Sequence, residues 1–108
     1  MRWSIVRHPA VDGDIQAIAR WLDRYADPEN VERRLDEIDH TVLLLSQFPY
    51  SGAVRDEVAP DLRAIPTSAR GVVTYLVDAD RHEILIISIT YAGANWMALS
   101  RQRVSDPQ

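Results

Sequence analysis

The chain has 108 residues, which is enough for one domain with a sizeable core and too few for two ordinary domains. Its hydrophobic fraction of 46% and charged fraction of 26% are typical of a globular protein, and they exclude a disordered tail or a fibre. The 16 acidic residues outnumber the 12 basic ones, and a net charge of −4 argues against a protein that coats nucleic acid with positive charge.

Lysine and cysteine are both absent from the sequence. Every basic residue is an arginine, which excludes a Schiff-base lysine and a P-loop lysine. Without cysteine there is no disulfide framework, thiol nucleophile or Cys-ligated zinc site. The three histidines are far apart, so we expect no metal site and no cofactor. No apolar run approaches the length of a membrane span, and we expect a cytoplasmic protein without membrane contact.

The first half of the chain predicts a strand followed by a helix. Residues 2–7 alternate, with Trp3 and Ile5 on one side, and this pattern favours a short strand. Apolar residues then recur every three or four positions, which is typical of one helix face: Val11, Ile15, Ile18, Leu22 and Tyr25.

A second helix is predicted to begin at Asp27-Pro28. Asp27 is expected to cap the exposed N–H groups, and Pro28 suits the first turn. The same apolar spacing then continues over Val31, Leu35, Ile38, Val42 and Leu45. A connection of only two or three residues predicts that the two helices form an antiparallel hairpin. The second helix ends before Pro49, where a turn cluster begins.

After the hairpin the apolar period changes from 3.6 to 2, and this change predicts three strands at residues 62–66, 71–78 and 83–91. The last two strands are joined by a short polar turn and should form a β-hairpin. The final strand is apolar on both faces, which is typical of a central strand covered on both sides. The helix hairpin should be one of those covers.

A short terminal helix is predicted after the last strand. Asn95 is expected to cap it, and it should extend through Arg103 with Trp96, Leu99 and Val104 facing inward. Residues 105–108 should fray.

Together these elements predict an α+β fold in a single domain over residues 1–108. An N-terminal strand leads into an antiparallel two-helix hairpin, which packs on a mostly antiparallel β-sheet, and a short C-terminal helix follows. The predicted core comprises Ile15, Ile18, Leu22, Leu35, Ile38, Val42, Leu45, Leu85 and Ile87.

This order of elements resembles the RelE/ParE superfamily, the toxins of bacterial type II toxin–antitoxin operons. Short local motifs carry the resemblance along nearly the whole chain, at residues 4–10, 38–45 with 48–52, 61–66, 72–77 and 84–89. The resemblance implies a RelE/ParE-like fold and a cognate antitoxin that binds the toxin in a hetero-oligomer. It implies no cofactor.

The superfamily has two activities, and the resemblance alone does not choose between them. RelE-like members cleave mRNA on the ribosome with clustered lysines and arginines plus a tyrosine, whereas ParE-like members inhibit DNA gyrase. RNA cleavage needs a proton acceptor, a proton donor and cations near the phosphate. Only Arg63, Arg70, Tyr75 and Tyr91 could supply these groups here. The two tyrosine hydroxyls could lie on an uncovered sheet face, but a strand tyrosine is more often a packed ring with its hydroxyl at the surface.

The absence of lysine and the acidic charge favour the ParE-like branch, with DNA gyrase as the target and no enzymatic activity. A RelE-like ribosome-dependent endoribonuclease is the alternative. A third interpretation is a relative that only binds its partner. It arises because residues 90–95 replace the superfamily's usual His followed by an Arg-Asp pair.

Aromatic and arginine side chains are the candidate contact residues, because both types dominate protein interfaces. The predicted target-binding residues are Arg63, Tyr91, Trp96, Arg101 and Arg103. Trp21 is the predicted antitoxin-binding residue. Each residue also has a structural interpretation, since Arg63 could be a solvated strand arginine and either tryptophan could belong to the core. Direct sequence-specific DNA binding by this chain is not expected.

Overall fold

The computed structural model describes residues 2–67 and 70–105 and has the predicted α+β architecture. The elements in chain order are β1 (Ser4–Arg7), α1 (Val11–Trp21), a π-helical turn (Leu22–Ala26), a 3-10 turn (Pro28–Asn30), α2 (Val31–Leu45), β2 (Ala53–Val54), β3 (Arg63–Thr67), β4 (Gly71–Asp78), β5 (Glu83–Tyr91) and α3 (Trp96–Ser105). Ser105, which was predicted to fray, is the last residue of α3, and the predicted fraying of residues 106–108 lies outside the described residues.

The five strands form one mixed sheet in the order β1-β5-β4-β3-β2. Strands β2 to β5 pair antiparallel, whereas β1 runs parallel to β5, with Ser4 opposite Glu83. Strand β5 therefore lies inside the sheet, as its two apolar faces predict. The two-residue edge strand β2 was not predicted, because two residues are too few to show a period.

A β-bulge interrupts the pairing of β4 with β5. Thr74 lies opposite Ser88 and Tyr75 lies opposite Ile86, so Ile87 is the extra residue. Because of the bulge, Ile86 and Ile89 both belong to the core beneath the helix hairpin, while Ile87 belongs to a cluster on the other face.

The helix hairpin covers one face of the sheet through apolar packing. The buried members of this core are Val11, Ile18, Leu22, Ile38, Val42, Leu45, Val73, Tyr75, Ile84, Ile86, Ile89 and Tyr91. The predicted core residues Ile15 and Leu35 are only partly buried and pack at its margin.

Helix α3 and the loop of residues 55–62 cover the other face. A smaller apolar cluster of Val58, Ala59, Leu62 and Ile87 lies there, and the half-buried Leu76, Leu85, Trp96 and Val104 pack around it. Beside this cluster three fully buried hydroxyls form a closed ring. Thr74 and Ser88 are 2.6 Å apart, and each lies 3.0 Å from Ser100 of α3.

Two details of the helix hairpin differ from the prediction. Tyr25 is 69% exposed instead of lying on the apolar face, because the Asp27 N–H bonds back five residues to Leu22 and the wider π turn rotates Tyr25 outward. Asp27 does not cap α2, since its carboxylate accepts hydrogen bonds from the side chains of Asn30 (2.8 Å) and Arg34 (3.1 Å) instead.

The C-terminal helix begins as predicted. The Asn95 side-chain oxygen accepts the N–H of Ala98 at 3.2 Å and caps α3. Ala92 and Gly93, which precede this cap, both have positive φ angles (56° and 82°) and turn the chain from β5 toward the far face. No helix among the described residues has the length and hydropathy needed to cross a bilayer.

Candidate functional site

Two of the predicted RNA-cleaving residues, Arg63 and Tyr75, meet around the backbone of Gly52. The Arg63 Nη1 donates to the carbonyls of Gly52 (2.8 Å) and Tyr50 (3.2 Å), and its guanidinium lies 5.0 Å from the centre of the Tyr50 ring. The Tyr75 hydroxyl accepts the N–H of Gly52 at 2.8 Å. The pair therefore fixes the turn of residues 50–52 against the sheet.

Tyr75 is a packed, fully buried ring, and its hydroxyl lies neither on an uncovered sheet face nor at the surface. The alternation of β4 places its ring beside Val73, beneath the helix hairpin. Burial raises the pKa of the Tyr75 hydroxyl and so disfavours its ionised form. Gly52 is required at the contact, because a Cβ there would lie 2.6 Å from the Tyr75 hydroxyl oxygen.

The other two predicted RNA-cleaving residues, Arg70 and Tyr91, lie near Trp21. Tyr91 is buried beneath the helix hairpin, so its hydroxyl is not on an uncovered sheet face either. Its ring packs against Trp21 with 5.9 Å between ring centres. The exposed Arg70 places its guanidinium 5.4 Å from the centre of the Trp21 ring.

The four residues therefore form two separate pairs. In the sheet Arg63 lies opposite Tyr75, and Gly71, which follows Arg70, lies opposite Tyr91. These positions are four residues apart along β4, which is roughly 13 Å at ~3.3 Å per residue. Arg63, Arg70, Tyr75 and Tyr91 do not converge on one point, as phosphate chemistry would require.

Trp96 and Arg101 of α3 both contact the loop of residues 55–62. The half-buried Trp96 packs on the smaller apolar cluster, and the Arg55 guanidinium lies 4.8 Å from its ring centre. Arg55 is held in place by Glu57 at 2.8 Å. Arg101 is exposed and donates to the carbonyl of Val58 at 3.1 Å. Trp96, Arg55 and Arg101 thus form one aromatic and cationic group at the surface.

Arg103 has a structural role within the fold. Its guanidinium donates to both carboxylate oxygens of Asp14 in α1 (2.6 and 2.8 Å) and to the carbonyl of Ile87 (3.0 Å). The Asp14 carboxylate also accepts the N–H of Ile89 at 3.0 Å. The side chains of Arg103 and Asp14 are only 12% and 10% exposed. We call this ion pair the Asp14–Arg103 clamp, and it ties α3 to α1 across the bulge of β5.

Trp21 separates two adjoining hollows. One, of about 300 Å³, lies between α1, the end of β5 and α3, and its apolar lining includes Ile18, Ile89 and Leu99. The other, of about 520 Å³, lies beside the π turn and is lined by Arg20, Asp23, Arg24 and Tyr25 among others. Arg20, Trp21, Arg24, Tyr25 and Arg70 are here called the Trp21 surface.

An uncharged, exposed apolar strip lies at the end of α2 and along the edge strand β2. Residues 41–54 contain no charged side chain. The strip consists of Leu43, Leu44, Phe48, Tyr50 and Val54, each between 42% and 60% exposed. Several exposed apolar side chains next to an open sheet edge are typical of a protein-binding site.

The three histidines lie in different parts of the fold. His8 is buried before α1 and accepts the N–H of Ala10, His40 is exposed on α2, and His82 stacks on Trp3 with 4.0 Å between ring centres. Within residues 2–67 and 70–105, no group of three His, Asp or Glu side chains could hold a metal ion.

Residues 5–96 match the family described as the ParE toxin of the type II toxin–antitoxin system parDE. The chain belongs to this family. The resemblance to the RelE/ParE superfamily is thereby confirmed. The chain is a type II toxin, which is a protein paired with an antitoxin.

Two solved structures share the fold of this toxin. An arginine double mutant of the E. coli toxin RelE in the free state is 12% identical, with a TM-score of 0.68 over 96% of this chain and 98% of that one. A chain of the chromosomal ParDE system from P. aeruginosa is 22% identical, with a TM-score of 0.67 over 84% of this chain and 97% of that one. No curated protein sequence matches the toxin significantly.

Proposed function

We propose that this toxin binds and inhibits DNA gyrase in the cytoplasm, and that a cognate antitoxin holds it inactive in a hetero-oligomer. The observation that supports binding over RNA cleavage is the separation of Arg63 and Tyr75 from Arg70 and Tyr91. Arg63 and Tyr75 hold the turn at Gly52, and both tyrosine rings are in the core. Membership of the ParE family favours the same choice.

The target-binding surface in this proposal is centred on α3. Trp96 is the aromatic anchor, and Arg101 and Arg55 provide cations beside it. Tryptophan and arginine are the residue types that carry most binding energy in protein interfaces. Arg103 is nearly buried and acts by positioning α3 through the Asp14–Arg103 clamp, whereas Tyr91 is buried beneath the helix hairpin and packs against Trp21. Arg63 acts by fixing the turn of residues 50–52.

The apolar strip at the end of α2 supports the antitoxin as a partner. A partner segment that packed on this strip and continued along β2 would cover apolar side chains and an open sheet edge together. We expect the purified toxin to associate weakly with itself and to bind an apolar dye. It should become a defined hetero-oligomer with the product of the adjacent upstream reading frame.

The target is tested by inducing the toxin alone in cells and by adding purified toxin to a gyrase supercoiling assay. Replication should stop, a DNA-damage response should follow and bulk mRNA should stay intact. Trp96→Ala with Arg101→Ala should weaken gyrase inhibition, whereas Arg33→Ala, on the exposed face of α2, should not.

Two other results would replace this proposal. Rapid cleavage of mRNA in the ribosomal A site, abolished by Arg63→Ala, would assign the RelE-like activity. A folded chain that binds the antitoxin but affects neither gyrase nor mRNA would be a relative that only binds its partner.

A further inference from the structure

Three arginines of the Trp21 surface have no carboxylate partner among the described residues. Arg20, Arg24 and Arg70 form no ion pair within the part of the chain that the structure describes, although the chain has more acidic than basic residues. Among the described residues Asp23 is the one acidic residue lining the hollow beside the π turn, and Asp14, which lines the adjoining hollow, is paired with Arg103. The Trp21 surface is therefore locally cationic on a protein whose net charge is negative.

Two of these guanidinium groups are positioned by aromatic rings. Arg70 lies 5.4 Å from the Trp21 ring centre, Arg24 lies 5.9 Å from that of Tyr25, and the two rings are 6.5 Å apart. A guanidinium that lies over an aromatic ring contacts the ring through the face of the guanidinium plane. The N–H donors of the guanidinium then remain available to oxygen acceptors. The cations are thus partly ordered before any partner binds, which lowers the entropy lost on binding.

The adjoining hollow between α1, β5 and α3 accepts an apolar group. Its lining is mainly apolar and its volume of about 300 Å³ can hold a large side chain. The indole of Trp21 forms the border between this hollow and the cationic one. An apolar side chain and carboxylates on one partner segment could therefore occupy both hollows at once.

We infer that the Trp21 surface binds an acidic segment of the antitoxin, which inserts one large apolar side chain beside Trp21 and places carboxylates against Arg20, Arg24 and Arg70. This inference rests on the proposed antitoxin partnership and specifies its chemistry. A second copy of the toxin that bound through the same surface is disfavoured as the occupant, because the cations of two Trp21 surfaces would then face each other. Arginine–carboxylate contacts at this surface would set partner choice, while the uncharged apolar strip provides less selective burial.

The test compares two charge-reversing variants of equal net charge. The affinity for the product of the adjacent upstream reading frame is measured by calorimetry for wild type, Arg24→Glu/Arg70→Glu and the control Arg2→Glu/Arg33→Glu. The first variant should bind about a hundredfold more weakly, because like charges would then face each other, and the control should change affinity by less than about threefold. Wild-type binding should weaken as salt rises, and the first variant should lose most of that dependence.

A second comparison tests the aromatic ring of Trp21. Trp21→Ala should lower affinity about tenfold or more, whereas Trp21→Phe, which keeps an aromatic face, should recover most of it. Circular dichroism and thermal unfolding establish that each variant is folded. Substituting the segment's acidic residues with arginine should restore binding to Arg24→Glu/Arg70→Glu.

The outcomes separate this inference from the proposed function. Binding that is equally strong in both charge variants, or equally weakened in both, would overturn the acidic segment while leaving the antitoxin partnership intact. Failure of the wild-type toxin to bind the neighbouring gene product would overturn both. Concentration-dependent dimers of the toxin alone, dissociated by Arg24→Glu/Arg70→Glu, would assign the surface to a second copy instead.

Discussion

The two faces of the sheet are covered in opposite ways. The helix hairpin lies on one face through a large apolar core in which Ile38, Val42 and Leu45 of α2 are buried. Helix α3 lies on the other face, and Ser100 is its only buried residue in the described chain. Its attachment combines the Asp14–Arg103 clamp, the hydroxyl ring and a small apolar cluster.

The difference teaches what each kind of contact achieves. Apolar packing is non-directional, tolerates changes of shape and supplies most of the stability. Hydrogen bonds and ion pairs are directional, so they define where α3 sits even though their net contribution is modest. The proposed target-binding residues Trp96 and Arg101 lie on the helix with the more directional attachment.

The largest loss of stability is expected on the hairpin face. Ile38→Ala should reduce the free energy of unfolding by about 2–5 kcal/mol, because it removes buried methyl groups and leaves a cavity. Leu43→Ala on the same helix is the control, since Leu43 is exposed, and it should change stability by less than about 0.5 kcal/mol. Equal denaturant midpoints for the two variants would contradict the assigned hairpin face.

Breaking the clamp should produce the next largest effect. Arg103→Met leaves the nearly buried Asp14 carboxylate without its cation and should cost about 3 kcal/mol. Hydrogen exchange should accelerate in α3 more than in α2, because the clamp holds α3. Adding Asp14→Leu should recover part of the loss. A double variant as unstable as the sum of both single variants would show that the two charges are not coupled.

The hydroxyl ring should contribute less. Ser88→Ala removes two of the three hydrogen bonds in the ring and should cost about 1–2 kcal/mol, because the buried hydroxyls of Thr74 and Ser100 each lose a hydrogen-bond partner. Ser105→Ala, which removes an exposed hydroxyl of α3, is the control. Its free energy of unfolding, measured in urea, should be nearly unchanged. If Ser88→Ala were neutral too, the ring would have no role in fixing α3.

The smallest expected effect is on the pH dependence of stability, and it tests whether Tyr75 is buried beneath the helix hairpin. Burial raises the pKa of Tyr75 in the folded state, whereas an unfolded tyrosine ionises near 10.0. The unfolded chain therefore loses its proton first, so stability falls as pH rises above about 10. Tyr75→Phe should flatten this alkaline decline and cost about 1 kcal/mol at neutral pH. An unchanged alkaline slope in the thermal unfolding of that variant would contradict the buried position.

The elements with a strong local period were predictable from the sequence. Strands 71–78 and 83–91 have the predicted bounds, and both helices follow the predicted apolar faces. Tyr25 was misplaced because one i→i+5 hydrogen bond changes the turn, and no apolar period reports such a bond. The apolar residues of the loop 55–62 follow neither helix nor strand spacing, so their burial beneath α3 was not predicted.

The candidate site was less predictable than the fold. Alternation along β4 places Val73 and Tyr75 on one face, but it does not tell which face the helices cover. Arg103 was predicted to contact a target and instead pairs with Asp14, 89 residues earlier in the chain. A sequence with 28 charged residues does not specify which of them will meet, because the pairing depends on the tertiary arrangement.

The parallel pairing of β1 with β5 constrains how the toxin is made. Strand β1 pairs with β5, the last strand of the sheet. The Asp14 carboxylate bonds to the N–H of Ile89, 75 residues later in the chain, and to the guanidinium of Arg103. Contacts of such long sequence separation form slowly and only once both segments exist. A nascent chain therefore lacks its complete sheet until β5 has been made. Premature termination before residue 83 would release a polypeptide that cannot complete the sheet and must be handled by proteases or chaperones.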